Sequence, residues 1–141
     1  MPFNYKNDQS DPEEMTDQLD WLEQQLKNAG PDEKFFTMMH IYETAGWWQK
    51  AFANWNEDAN QLRFMKLLED YRDKIIFEVA GHDHLADVRT VKVDGSDDYY
   101  LNKVIFPGWT SATNNQPGFA TFMYDTETSK ATDLKLTFAN L

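Results

Sequence analysis

Residues 67–84 read LLEDYRDKIIFEVAGHDH: the end of an amphipathic segment, a short apolar run, and two histidines separated by one aspartate. The apolar run is rich in β-branched and aromatic residues and is too short for a buried helix, so it predicts a buried strand. An earlier run at residues 34–40, KFFTMMH, predicts a second buried strand that also ends at a histidine. Buried apolar strands that alternate with helices are typical of a parallel sheet in the α/β class.

Two amphipathic helices accompany these strands. Residues 11–30 predict the first helix, with a capping aspartate, a proline in the first turn and a terminal glycine. Its apolar stripe consists of Met15, Leu19, Leu22 and Leu26. Residues 56–73 predict the second helix. Its inward face is expected to carry Leu62, Met65 and Leu68.

The hydrophobic period shifts toward two in the last third of the chain, which predicts strands. The four segments are ADVRTVKV, YYLNKVIF, GFATFMYD and DLKLTFAN. The prediction is therefore an α/β fold that becomes α+β at its C-terminal end, with two helices and about six strands. We expect a single partial domain over residues 1–141, made of a loop or strand remnant (1–10), a helix–strand–helix–strand part with the histidine motifs (11–93) and antiparallel strands (94–141).

The composition excludes several classes of function. The chain has 141 residues and a formal net charge of −11, and it shows no basic face for nucleic acid. It contains no cysteine, so disulfides and thiolate metal sites are ruled out. It also contains no Asn-x-Ser/Thr acceptor for N-glycosylation. No apolar run approaches transmembrane length, and the polar first residues do not resemble a signal peptide. Phosphate-ester substrates stay open, because a bound divalent cation can reverse the local charge.

The chain's three histidines all follow predicted strands. His40 and His82 lie at the carboxyl ends of the two apolar strands, and His84 lies two residues further on. Ligands of open α/β sheets bind at that edge, and neutral imidazole is the commonest metal ligand in proteins. A lone histidine in such a loop is more often a hydrogen-bonded polar residue than a ligand. Three at one edge, with none elsewhere, instead predict a divalent metal site.

The ordered set of motifs resembles the calcineurin-like metallophosphoesterases, and within them the acid sphingomyelinase-like phosphodiesterases. QLDWLEQQL at residues 18–26 is similar to the family's QLxWLE helix, and MMHIYETAG at 38–46 stands where the family has a strand ending in HIPPG. The histidine stretch GHDH is similar to the family's GHTH, and PGWTSATNNQPGFATFMYD at 107–125 is similar to its PSVTP and NPGF segment. The resemblance covers about residues 11–141.

This resemblance implies the C-terminal half of an α/β/β/α sandwich and a hydrolase that uses two divalent metals, most often Zn. In such phosphodiesterases a metal-activated water attacks phosphorus. The resemblance makes His40, His82 and His84 metal ligands. The family's Asp-x-His, Gly-Asp-x-x-Asp and Gly-Asn-His motifs are not in this chain, so we expect at most a partial metal site and uncertain activity. Family members are secreted or lysosome-like.

A half-sandwich raises the question of what covers its parallel strands. We expect either the N-terminal half of the same fold or further copies of this chain, and no stable monomer. A proteolytic piece, a partial gene and a true half-protein are three explanations of such a chain. Two functions follow: the C-terminal portion of a metal-dependent phosphodiesterase, or a non-catalytic structural protein that self-assembles through exposed strands.

Two further features are candidates for substrate binding. Trp47 and Trp48 belong to an aromatic cluster after the His40 motif, and the alternative is that they pack between a helix and a sheet. Asp83 lies between the two histidines of GHDH and either orients an imidazole or faces water.

Overall fold

The chain folds into helices layered on a mostly parallel sheet. The structure, a computed structural model, describes residues 12–43, 58–92, 95, 97, 99–111 and 116–140. Within these residues the elements are α1 (Pro12–Asn28), β1 (Phe35–Met38), α2 (Asp58–Asp70), β2 (Ile75–Ala80), β3 (Asp87–Lys92), β4 (Tyr99–Ile105), β5 (Gly118–Asp125) and β6 (Lys130–Phe138). This arrangement confirms the predicted mixed α/β class.

Helix α1 presents the apolar stripe that its sequence predicts. Glu13 and Glu14 lie in the first turn and Lys27 in the last, where their charges suit the helix dipole. Met15, Leu19 and Leu26 are buried, with exposures of 3%, 2% and 0%. This stripe forms one wall of the core.

Helix α2 is rotated from the orientation predicted for it. Phe64, Leu67 and Leu68 are buried and pack against α1. Leu62, which was expected to face inward, is 68% exposed, so that part of the prediction was wrong. The spacing i, i+3, i+4 of the three buried residues gives a broader apolar face than a stripe through Leu62, and it places Phe64 in the core.

The main sheet has the strand order β1-β2-β4-β3. Strands β1, β2 and β4 are parallel, and β3 pairs antiparallel with β4. Phe35 and Ile75 lie opposite each other in the register, and both contact the core formed by the helices. The predicted parallel pairing of the two apolar strands is confirmed, and their carboxyl ends meet at one edge of the sheet.

Strands β5 and β6 form a separate antiparallel hairpin over the sheet. Phe122 packs on Phe36 and Phe77, at centroid distances of 5.6 and 5.0 Å. Tyr124 adds an edge-on contact with Phe36 at 5.3 Å. The hairpin therefore covers Phe36 and Phe77, which lie opposite each other because the register shifts between Phe35 and Phe36. Neither described helix combines the length and the apolar character that crossing a membrane requires.

Candidate functional site

The carboxyl edge of the sheet brings the histidine segments together. His40 lies two residues beyond β1, and His82 lies two residues beyond β2. The strand pairing extends past both ends, because Met39 N donates to Val79 O and Gly81 N donates to His40 O, each at 3.0 Å. This backbone pairing fixes the two segments side by side.

His40 and His82 are in ring contact. Their ring centroids lie 5.4 Å apart with an interplanar angle of 82°. His40 is exposed and His82 is half-buried. Burial lowers the pKa of His82, with Asp83 opposing the shift and the other two histidines adding to it. A neutral imidazole at neutral pH is the form that binds metal ions.

His84 lies on the other side of the same loop and packs on Gly108. A Cβ added to Gly108 would lie 2.9 Å from Cγ of His84, so only glycine allows this approach. Nδ1 of His84 is buried and has no hydrogen-bond partner among the described residues. His82 and His84 both adopt left-handed backbone angles, with φ values of 79° and 59°. Such strain in non-glycine residues is concentrated at functional sites.

Asp83 is buried between these two histidines. It is 3% exposed, and its Oδ2 accepts a hydrogen bond from the hydroxyl of Tyr42. The guanidinium of Arg89 lies over the ring of Tyr42, 4.9 Å from its centroid. Of the two alternatives given for Asp83, the one in which it faces water is excluded, because the side chain is buried and bonded to Tyr42. A role of Asp83 in substrate binding stays a prediction.

Three ionisable side chains are buried directly behind the histidine edge. Nζ of Lys103 donates to Oε1 of Glu43 and lies 3.0 Å from Oε1 of Glu78. All three side chains are at most 1% exposed. Burial, with the neighbouring carboxylate of Glu43, raises the pKa of Glu78 to about 8, although Lys103 opposes the shift. The sequence reasoning missed this cluster, although a glutamate and a lysine inside two apolar strand runs were a visible signal.

The residues fit a metal ion in kind but do not form a complete site. Two imidazoles on one tetrahedral zinc have ring centroids about 5 Å apart, close to the separation of His40 and His82. Within the described part of the chain, no group of three or more histidine, cysteine, aspartate or glutamate residues is arranged to hold a metal ion. His40 and His82 form a pair, and His84 is turned toward Gly108. The metal-ligand assignments stay predictions, and Trp47 and Trp48 lie outside the described residues.

One known protein is similar to nearly the whole chain. No protein-family model matches the chain. A Dictyostelium discoideum protein, sphingomyelinase phosphodiesterase D, is 27% identical in an alignment 148 residues long that covers 96% of this chain and 32% of that protein. The chain thus spans about a third of the length of this relative. The similarity indicates a distant relation and an origin shared with a phosphodiesterase-like protein.

Proposed function

We propose that the chain is the histidine-bearing, C-terminal portion of a metal-dependent phosphoric ester hydrolase of the phosphodiesterase type. The observation that supports this most directly is the pair of His40 and His82, in ring contact where two parallel strands end. The name of the Dictyostelium relative points to a phosphodiester as the substrate. The resemblance to the acid sphingomyelinase-like phosphodiesterases supports the same chemical class.

A divalent cation bound at this edge would supply Lewis-acid activation of water and of the phosphoryl group. His40 and His82 would hold it, with His84 joining if its ring turns from Gly108. Zinc suits this set best, since it accepts imidazole ligands in tetrahedral geometry. The chain lacks the family's carboxylate motifs, so the remaining ligands must come from another segment or chain. The chain alone is therefore expected to be inactive.

The test is zinc content measured together with hydrolysis of a chromogenic phosphodiester. Both are measured for the chain alone and for a longer polypeptide that contains it. We expect weak zinc binding by the chain, and tighter binding with hydrolysis in the longer polypeptide. His82→Ala should remove both, while Glu127→Ala, in an exposed turn, should leave both unchanged. Hydrolysis that survives His82→Ala, or the absence of zinc from both polypeptides, would contradict the proposal.

The alternative is a non-catalytic protein that assembles through its exposed strand edge. The described pairing of β1 is with β2 alone, and a groove of about 440 Å³ lies between β1 and α1. Its lining is largely apolar and includes Trp21 and Met38, which are 63% and 79% exposed. Parallel strands are usually found inside a sheet, with a neighbouring strand on each edge. This edge of β1 therefore suits an added strand from a second copy of the chain or from an N-terminal half.

Analytical ultracentrifugation distinguishes assembly from an isolated chain. We expect self-association at micromolar concentration, and weaker association for Met38→Lys, because a charge would have to be buried at the edge. Leu62→Lys, a change at a leucine on α2 that is 68% exposed, serves as the matched control. A well-folded monomer would refute the assembly function.

A further inference from the structure

The segment that follows His40 is buried to an unusual degree for a connection at a sheet edge. Ile41, Tyr42 and Glu43 have exposures of 8%, 0% and 0%, whereas connecting segments usually run over the surface. Glu43 is held from within by the hydrogen bond from Lys103. His40 precedes this segment, and Glu43 at its other end is bonded to Lys103 on β4, an inner strand of the sheet.

Tyr42 connects this segment to the second histidine loop. Its hydroxyl donates to Oδ2 of Asp83, 41 residues further along the chain. Asp83 is flanked on both sides by the two histidines of that loop, so the bond acts on the residue at its centre. Arg89, positioned over the ring of Tyr42, closes the tyrosine's other side.

The backbone of the loop around Asp83 is in a conformation that needs a bond such as the one from Tyr42 to hold it. His82 and His84 hold left-handed φ angles that a side-chain-bearing residue adopts only when its surroundings determine them. Within the loop, the backbone bond from Asp83 N to Gly81 O is 3.1 Å long and is purely local. The Tyr42 bond ties the same residue to a distant part of the chain.

We propose that Tyr42 is a positioning residue that, through Asp83, sets the backbone of the His82–His84 loop and holds His82 against His40. A released loop would relax toward right-handed angles, and the two imidazoles would separate. The consequence for metal affinity rests on the function proposed above. The consequence for loop conformation does not, since it concerns this chain alone.

The test compares Tyr42→Phe with Ile75→Val. The first variant removes only the hydroxyl and keeps the ring beneath Arg89. The second removes one buried methyl group from the helix-facing core, away from the loop, and controls for a general loss of stability. In nuclear magnetic resonance spectra, Tyr42→Phe should lose the nuclear Overhauser effect between the rings of His40 and His82. It should also shift the φ-dependent backbone couplings of His82 and His84, and Ile75→Val should do neither.

Zinc affinity, measured by competition with a chelating dye, gives a second reading. Removing a partner that orients metal ligands typically weakens binding by about 10–100-fold, and we expect a loss in this range for Tyr42→Phe. Asp83→Ala should weaken binding equally, and the double variant should add nothing. If neither the unmodified chain nor the longer polypeptide binds zinc, the metal-dependent function fails and the spectra decide the role of Tyr42. Unchanged ring contacts in Tyr42→Phe, or the same changes in Ile75→Val, would overturn the proposal.

Discussion

Replacing Glu78 with glutamine should remove a large pH dependence from the stability of this chain. Burial and the carboxylate of Glu43 raise the pKa of Glu78 from 4.5 to about 8. Between pH 4.5 and about pH 8, Glu78 therefore keeps its proton in the folded chain and loses it in the unfolded chain. The free energy of unfolding should therefore fall by about 1.4 kcal/mol per pH unit, or roughly 5 kcal/mol over the interval. This contribution is fully present below pH 4.5 and is lost as the pH approaches 8.

The assay is urea unfolding followed by tryptophan fluorescence at fixed protein concentration, at pH values from about 5 to 8. A glutamine side chain cannot ionise, so the Glu78→Gln variant should lose this part of the slope and be relatively more stable at the alkaline end. All other ionisable groups are the same in both proteins, so the difference between the two curves isolates Glu78. Glu127→Gln changes an exposed turn residue and should keep the unmodified slope. Parallel curves for the unmodified chain and Glu78→Gln would refute the reasoning.

Three further predictions use the same unfolding measurement. Lys103→Met should lower the free energy of unfolding by about 3–5 kcal/mol because it leaves Glu43 and Glu78 buried without their cation, and a loss below about 1 kcal/mol would contradict this. Gly108→Ala should lower the free energy of unfolding by about 1–3 kcal/mol, since the new Cβ would lie 2.9 Å from the ring of His84. It should also shift the nuclear magnetic resonances of that ring, and unshifted resonances would count against the prediction. Arg63→Ala removes ion pairs to Asp20 and Glu23 that join the helices, and it should cost no more than about 1 kcal/mol because these groups are partly exposed.

The elements of this fold were predictable because each leaves a local pattern. The four-residue spacing of Met15 and Leu19 marks the buried side of α1, and alternation marks β5 and β6. The apolar runs ended where β1 and β2 end, which put His40 and His82 at one edge. Leu62 shows the limit of the method: several stripes can be drawn on a short helix, and packing against α1 selects one of them.

The contacts that shape the candidate site were not predictable in the same way. Tyr42 and Asp83 are 41 residues apart, and Lys103 and Glu43 are 60 apart. Hydrophobic period describes which side of an element is buried and carries no information on which polar groups pair across the fold. A charged residue in an apolar strand indicates that some partner exists, but only the strand order β2-β4 places Lys103 beside Glu78.

The turn between β5 and β6 lies at the opposite end of the molecule from the histidines. It borders the start of β2 and residues such as Arg72 and Asp73, and Asp125 closes it by accepting hydrogen bonds from the backbone of Glu127 and Thr128. The strands leaving it are paired along their length, so extra residues there need not disturb either sheet. The turn is thus a permissive attachment point, where a fluorophore or affinity tag can be fused while the histidine edge stays free for binding measurements.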